Sequence, residues 1–323
     1  MIEVLKRAVM LSSILIAGIF PVFGWDGTGH KISAYIAWQQ MTPAARERVI
    51  KILTEAPEDS QLAALYMTYG SQNAETQKRD FFMAASTWAD IIRDRNFAVR
   101  YKKYHKTNWH YDDAFWTRKG DKIEYLPAPE DGGQGLARLE EFSKVITSNA
   151  KDEEKAIAIA WILHLIGDLH QPLHTSARVT ETEPKGDMGG NLFLLRPQGT
   201  LRSDQVNLHW YWDSIIGRNV PNSANACDSA YLEPIAQKIM KEYPFAKMEK
   251  RLDADVFEAW VKDSLTYAQH DVFSPDLKRF EMPSEKYKKK AYEVARLRLA
   301  MAGYRMADMF NRAFSGPAIP LNQ

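Results

Sequence analysis

The sequence predicts an all-α fold, a compact multi-helix domain, on three observations. The apolar residues recur at helical spacing over most of the chain. Cap and stop signals bracket those runs. One stretch, Ala156–Leu163, is apolar almost without a break and leads into His164 and Asp168. A helix apolar on all sides is normally buried inside a domain. Strand-like signal is weak, at most a small hairpin near 190–203.

The first element is not part of that domain. Lys6 and Arg7 precede an uncharged, mostly apolar run from Ala8 to Phe23, and Val22 and Gly24 supply small residues before Trp25. This reads as a secretory signal peptide over 1–24, cut before Trp25. As a membrane anchor the run is short of the ~20 residues a span needs. Removing Glu3, Lys6 and Arg7 takes the formal charge from +1 to zero. Bulk positive charge is therefore not available to hold nucleic acid, and any phosphate affinity must be local. Cys227 is the only cysteine, so the chain forms no internal disulfide and relies on its core.

From Trp25 the elements follow in order. A helix over about 27–40 ends before Thr42-Pro43, an N-cap with proline at the first helical position. The next helix runs over about 43–53, and 55–60 is a loop. A helix near 76–93 contains WADIIR. Asp131-Gly132-Gly133 breaks the chain before a helix over about 136–147. The central helix spans about 152–171 and stops at Pro172. Residues 180–190 are polar and glycine-rich, hence a loop. Helical character returns over 208–216, 254–270 and 285–313, and 315–323 is a tail. One domain is expected over 25–314.

The chemistry-bearing residues cluster along these elements. Cleavage would give Trp25 a free α-amine, which can chelate a metal with its carbonyl, and His30 follows. Asp90 has Arg93 three residues on, on the same helical face. NWHYDD offers His110, Asp112 and Asp113. His164 and Asp168 lie one turn apart on the buried helix, and His174 follows Pro172. His209 and Asp213 repeat the one-turn spacing. Each motif has an ordinary alternative: a surface histidine, a local Asp90–Arg93 ion pair, a solvated acid. Burying the Asp168 carboxylate, however, is costly unless it is paired or coordinated. Zinc accepts histidine nitrogen and aspartate oxygen, and sets of three leave a position for water.

The ordered series Trp25, His30, Asp90, His110, His164, Asp168, His174, His209, Asp213 closely resembles the zinc-dependent single-strand-specific nuclease and 3′-nucleotidase family. That family shares its all-α fold with bacterial zinc-dependent phospholipase C. The resemblance implies three Zn²⁺ per chain. Asp90, His110, His164 and Asp168 would hold one. Trp25 and His30 would hold a second, bridged to the first by Asp168. His174, His209 and Asp213 would hold the third. Arg93 resembles the phosphate-contacting arginine, Asp113 the acid that orients the attacking water, and Asn191 in Gly-Gly-Asn a loop motif near substrate or a tight turn. Arg93, Asp113 and Asp168 thus take catalytic roles in attack by a hydroxide held between the two bridged zincs. The substrates implied are RNA and single-stranded DNA, cut to 5′-nucleotides, and 3′-nucleotides, which lose phosphate. No stable protein partner and no membrane are implied for a mature, secreted or periplasmic chain.

Two rival readings stand beside this one. A phospholipase C would use the same cluster on a lipid phosphodiester, although it carries glutamate where this chain has Asp213. A non-catalytic exported zinc-binding protein would hold metal without turnover, but His-rich tracts are absent. Disulfides of eukaryotic members cannot form here, which points to a bacterial-type member. Tyr111, Phe115 and Trp116 are candidates for base stacking or for packing. His105, His170 and His270 receive no role, and His110 is preferred to His105 as the ligand.

Overall fold

The computed structural model describes residues 25–67, 73–129, 132–253 and 256–315. The leader expected over 1–24, Asp131 of the predicted break, and the tail beyond Ser315 lie outside the described residues.

The first two helices follow the sequence signals closely. α1 (Gly27–Gln40) begins where the Asp26 carboxylate accepts hydrogen bonds from the Thr28 and Gly29 amides. α2 (Pro43–Thr54) starts behind Thr42, whose hydroxyl accepts from Ala45. The helix expected over 76–93 is two helices, α3 (Ala74–Ala85) and α4 (Trp88–Ile91). The break has a local cause. Ser86 and Thr87 turn their hydroxyls back to the Met83 and Ala84 carbonyls, offering the backbone an alternative to the helical ladder. α5 (Ala98–Tyr104) follows.

The strands lie elsewhere than expected. β1 (Ala114–Lys119) and β2 (Lys122–Leu126) form an antiparallel hairpin, and β3 (Ser176–Arg178) joins β1 in parallel. Near 190–203 there is only the isolated bridge of Leu194 to Asn207. Gly189, Gly190 and Gly199, all at positive φ, coil the chain there, and Pro197 has no N–H to donate to a ladder. β2 escapes a period-two reading because it is largely exposed and carries charge. The sheet matters for position: with β1 beside β3, the Asp112 amide donates to the His174 carbonyl at 2.9 Å.

α6 (Gly135–Thr147) leads to α7 (Asp152–His170), where every residue from Ala158 to His170 is buried. α8 (Leu208–Asp213) and α9 (Ile215–Asn219) replace the single run expected over 208–216. α10 (Asp228–Glu242) escapes the sequence reading and carries Pro234 inside it. α11 (Phe245–Met248), α12 (Phe257–Tyr267) and the 30-residue α13 (Glu285–Phe314) complete the chain. α7 is the axis, with α1, α2, α4, α6, α12 and α13 packed around it. One connected cluster of buried apolar side chains runs from Trp25 to Phe310.

The C-terminal end of α7 is held by buried polar contacts. His170 donates from Nδ1 to the Ile166 carbonyl at 2.7 Å, and its Nε2 accepts from Arg305 at 2.8 Å. Burial, then the charges of Arg298 and Arg305, hold the His170 pKa well below the ordinary value, so the ring is neutral and can accept. Arg298, fully buried, donates to the His170 carbonyl and to Asp263 and Ser264. His170 therefore docks α13 on α7. Replacing Arg298 by methionine removes its bonds to the His170 carbonyl, to Ser264 and to the partly exposed Asp263, a loss of roughly 1.5–3 kcal/mol. Urea unfolding of Arg298→Met should show a loss of that size; a change below about 1 kcal/mol would contradict the assignment.

Candidate metal centre

The site is built on α7. His164 and Asp168, four residues apart, project from one face of a helix whose central turns, Ala156–Leu163, are apolar. Both are fully buried, as are His30, His110 and His174, and His209 and Asp213 are nearly so. α1 brings His30, α4 brings Asp90 and Arg93, the segment before β1 brings His110 and Asp113, the turn after Pro172 brings His174, and α8 brings His209 and Asp213. The ligand-type residues expected from the sequence thus converge from six directions.

Asp168 is the centre of the arrangement. Its Oδ1 lies 3.2 Å from His30 Nε2 and 3.9 Å from His174 Nδ1. Its Oδ2 lies 3.1 Å from His110 Nδ1 and 3.2 Å from His164 Nε2. The two oxygens therefore face different histidines. His30 also stacks on His164, with ring centres 4.0 Å apart. Asp90 Oδ1 is 3.7 Å from His164 Nε2 and 3.0 Å from the Arg93 guanidinium. Three sets gather within coordination range: His30, His164 and Asp168; Asp90, His110 and His164; His174, His209 and Asp213. His164 belongs to two of them, where the sequence reading assigned it to one.

The donor chemistry fits metal ions. His164 donates from Nδ1 to the Ser86 carbonyl at 2.8 Å, His174 to the His110 carbonyl at 2.6 Å and His209 to the Gly189 carbonyl at 2.7 Å. Those bonds fix the tautomer and leave each Nε2 lone pair turned inward, the usual arrangement of a metal-ligating histidine. In neutral form, His174 and His209 then oppose two Nε2 lone pairs at 3.1 Å. Two acceptors at that distance need a cation or a shared proton between them. Both ring nitrogens of His30, His110 Nε2 and Asp168 Oδ1 are buried and make no well-aligned hydrogen bond. Buried polar atoms left so are rare in folded proteins.

The electrostatics divide the histidines: burial works to lower His164, but the charges of Asp168 and Asp90 outweigh it and raise its pKa. Burial lowers the His30 pKa, helped by His164, and burial with the Arg93 charge takes His110 down to about 3. Both rings are kept neutral and able to ligate. Burial works to raise Asp168, but His164 and His174 outweigh it and hold the carboxyl well below the ordinary range. Burial drives Asp213 well up; a hydrogen bond from Gln171 opposes this, and the charges of Asp26, Asp168 and Asp90 add to it. A carboxylate so placed is stabilised by a cation.

The remaining expected residues sit around this core. Trp25 is fully buried against Gly29, and the next amide, of Asp26, donates to the Asp213 carbonyl at 3.0 Å. That bond ties the start of the described chain to α8. Arg93 and Asp113 line a cleft of about 990 Å³ with Tyr111, Phe115 and Met188. Asp113 Oδ1 has no hydrogen-bond partner, and burial followed by the charges of Asp187 and Asp112 pushes its pKa well up. Asp112, by contrast, accepts from the Leu136 amide and starts α6. Trp116 is fully buried and donates to Ser176, so it packs. Asn191 donates to the Met188 carbonyl and accepts from Asn207, so its amide ties the 188–191 turn to the start of α8.

Four supporting residues escaped the sequence reading. Gln171 donates to Asp213 at 2.7 Å and accepts from the Leu173 amide. Gly189, at positive φ, brings its carbonyl to His209, and a Cβ there would lie 2.5 Å from the Leu173 carbonyl. Asp187 accepts from the Arg178 amide, and burial lifts its pKa to about 6. Gly167 has no Cβ where one would fall 2.5 Å from His30 Nδ1. The available signals were an amide beside the proline, and a glycine between the two helical ligands.

Comparison with known proteins is consistent along the whole described length. The family profile described as S1/P1 Nuclease matches residues 25–315. Nuclease S1 of Aspergillus oryzae is 22% identical over 328 aligned residues, covering 97% of this chain and all of that protein. Endonuclease 2 of Arabidopsis thaliana is 21% identical over 310 residues, covering 91% of each.

Gly167→Ala tests the packing of His30 on α7. Alanine favours helix, so far-UV circular dichroism should be retained. Metal affinity should fall on the order of 10–100-fold, as for loss of a supporting contact. Unchanged zinc content after dialysis would contradict the role of the close approach.

Proposed function

The chain belongs to the S1/P1 nuclease family, a hydrolase of nucleic-acid ester bonds, and on that premise we propose that it is a three-zinc enzyme for single strands. Its products are 5′-nucleotides from RNA and single-stranded DNA, and nucleoside with phosphate from 3′-nucleotides. The observation that carries this reading is the buried Asp168 carboxylate, with one oxygen toward His30 and the other toward His110 and His164.

Asp90, His110, His164 and Asp168 would hold one ion. His30 and the Trp25 amine and carbonyl would hold the second, with Asp168 shared, and His174, His209 and Asp213 the third. Zinc in such sites lowers the pKa of bound water toward ~7 and polarises phosphoryl oxygens. The protein's own groups do the rest. Arg93 is held at 3.0 Å by Asp90, at the boundary of ligand set and cleft, and offsets charge on a phosphate there. Asp113, kept toward its neutral form, can hold a proton at the unpartnered Oδ1 and orient water or a base edge. The Asn191 amide supports the turn that carries Gly189 and Met188 to the cleft. A base that must enter this cleft has to be unpaired, which disfavours duplex. The family favours nucleic acid over the lipid phosphodiester weighed above.

An exported, processed chain completes the proposal, with one domain over 25–314. The family match begins at Trp25, and the burial of Trp25 beside α1 supports a role for the terminus. The mature enzyme would then be secreted or periplasmic. The test is product analysis on the chain beginning at Trp25. Single-stranded RNA should yield 5′-phosphates, a 3′-nucleotide should release phosphate, and a chelator should abolish both until zinc is restored. Products ending in 3′-phosphate, or activity surviving chelation, would overturn the reading. A chain retaining one residue before Trp25 should lose zinc and activity; equal zinc content would remove Trp25 from the ligands.

A further inference from the structure

The cleft has a second wall that the metal centre does not use. It leads away from Asp90 through Arg93 to Arg95, Tyr101, His105 and Thr107. Tyr101 and His105 are one turn apart at the end of α5, joined by a 3.1 Å hydrogen bond from the His105 amide to the Tyr101 carbonyl. Their rings stack 4.8 Å apart at 25°. The Arg95 guanidinium lies 5.6 Å from the Tyr101 ring centre and continues the stack. His105 Nε2 is 3.1 Å from the Thr107 hydroxyl, which orients the ring, while Nδ1 is buried without a partner.

This is not a core cluster. Arg95 is exposed, and Tyr101 and His105 are half-buried on the cleft. Burial, then Arg93, Arg95 and Lys106 in turn, lower the His105 pKa, so positive charge gathers along this wall. On a chain of almost no net charge, that concentration is local. A basic groove interleaved with aromatic rings is the arrangement that binds single-stranded nucleic acid: cations track the backbone, and bases stack on ring faces.

We propose that Arg95, Tyr101 and His105 form a second nucleotide subsite, in which the base next to the nucleotide held at the metal centre extends the Tyr101–His105 stack and Arg95 contacts its phosphate. The inference rests on the nuclease reading and deepens it. These residues position the substrate and act on no reacting atom. The wall makes the enzyme prefer a polynucleotide to a short substrate, because each added stacked base contributes binding that a mononucleotide cannot reach.

The test compares kcat/KM for a single-stranded oligoribonucleotide with that for a 3′-mononucleotide, in the zinc-loaded enzyme. Tyr101→Ala and His105→Ala should lower the oligonucleotide-to-mononucleotide ratio about tenfold, the size of one lost stacking contact. Tyr101→Phe, which keeps the ring face, should retain the ratio. Arg95→Gln, at an exposed position that the fold does not need, should reduce the dependence of log KM on log salt by roughly 0.7, one phosphate contact on a single strand. Wild-type ratio and salt slope in the alanine and glutamine variants would overturn the subsite. Failure of the metal-centre reading is separately visible, as wild-type protein that binds no zinc.

Discussion

The structure depends on a carboxylate buried where none should survive alone. Asp168 is fully enclosed on the central helix, in the domain's core. Desolvating such a charge costs far more than one ion pair returns in a comparable setting. Four histidines from four different segments approach its two oxygens. The helices packed around α7 can be understood as the scaffold that delivers those rings. The docking of α13 onto the end of α7, through Arg298, Arg305 and His170, keeps that scaffold rigid where the ligands emerge.

Backbone carbonyls complete the arrangement. Ser86, His110 and Gly189 each accept a histidine Nδ1–H, and each is available because the local chain departs from regular structure. Ser86 is free where α3 breaks. The His110 carbonyl sits just before β1, beside the turn that Pro172 begins. Gly189 adopts positive φ in a glycine-rich loop. Irregularities that look like defects in the helical pattern are therefore what set the tautomers and turn the lone pairs inward.

Much of this was legible in residue spacing. The caps of α1 and α2, the buried character of α7 and its stop at Pro172 follow from local rules, and the structure follows them. The series of nine ordered residues was visible through family likeness, and the structure gathers the eight His and Asp side chains among them into three sets. What stayed hidden depends on tertiary context. The β1–β2 hairpin has no alternating apolar pattern, because β2 is exposed. The break at Ser86 and Thr87 needs hydroxyl bonds that propensity does not report. Gln171, Asp187 and Gly167 act through neighbours distant in sequence. His110, and not His105, joins a gathered ligand set, while His105 faces the cleft from another wall.

The central claim is that Asp168 joins two cations in a centre of three. Metal analysis of the correctly processed chain and of Asp168→Asn tests it most directly. The account predicts three zincs in the wild type, one for each gathered ligand set, and one in the variant, at His174, His209 and Asp213. An Asp168→Asn protein that keeps two or three zincs, or that stays active, would contradict it.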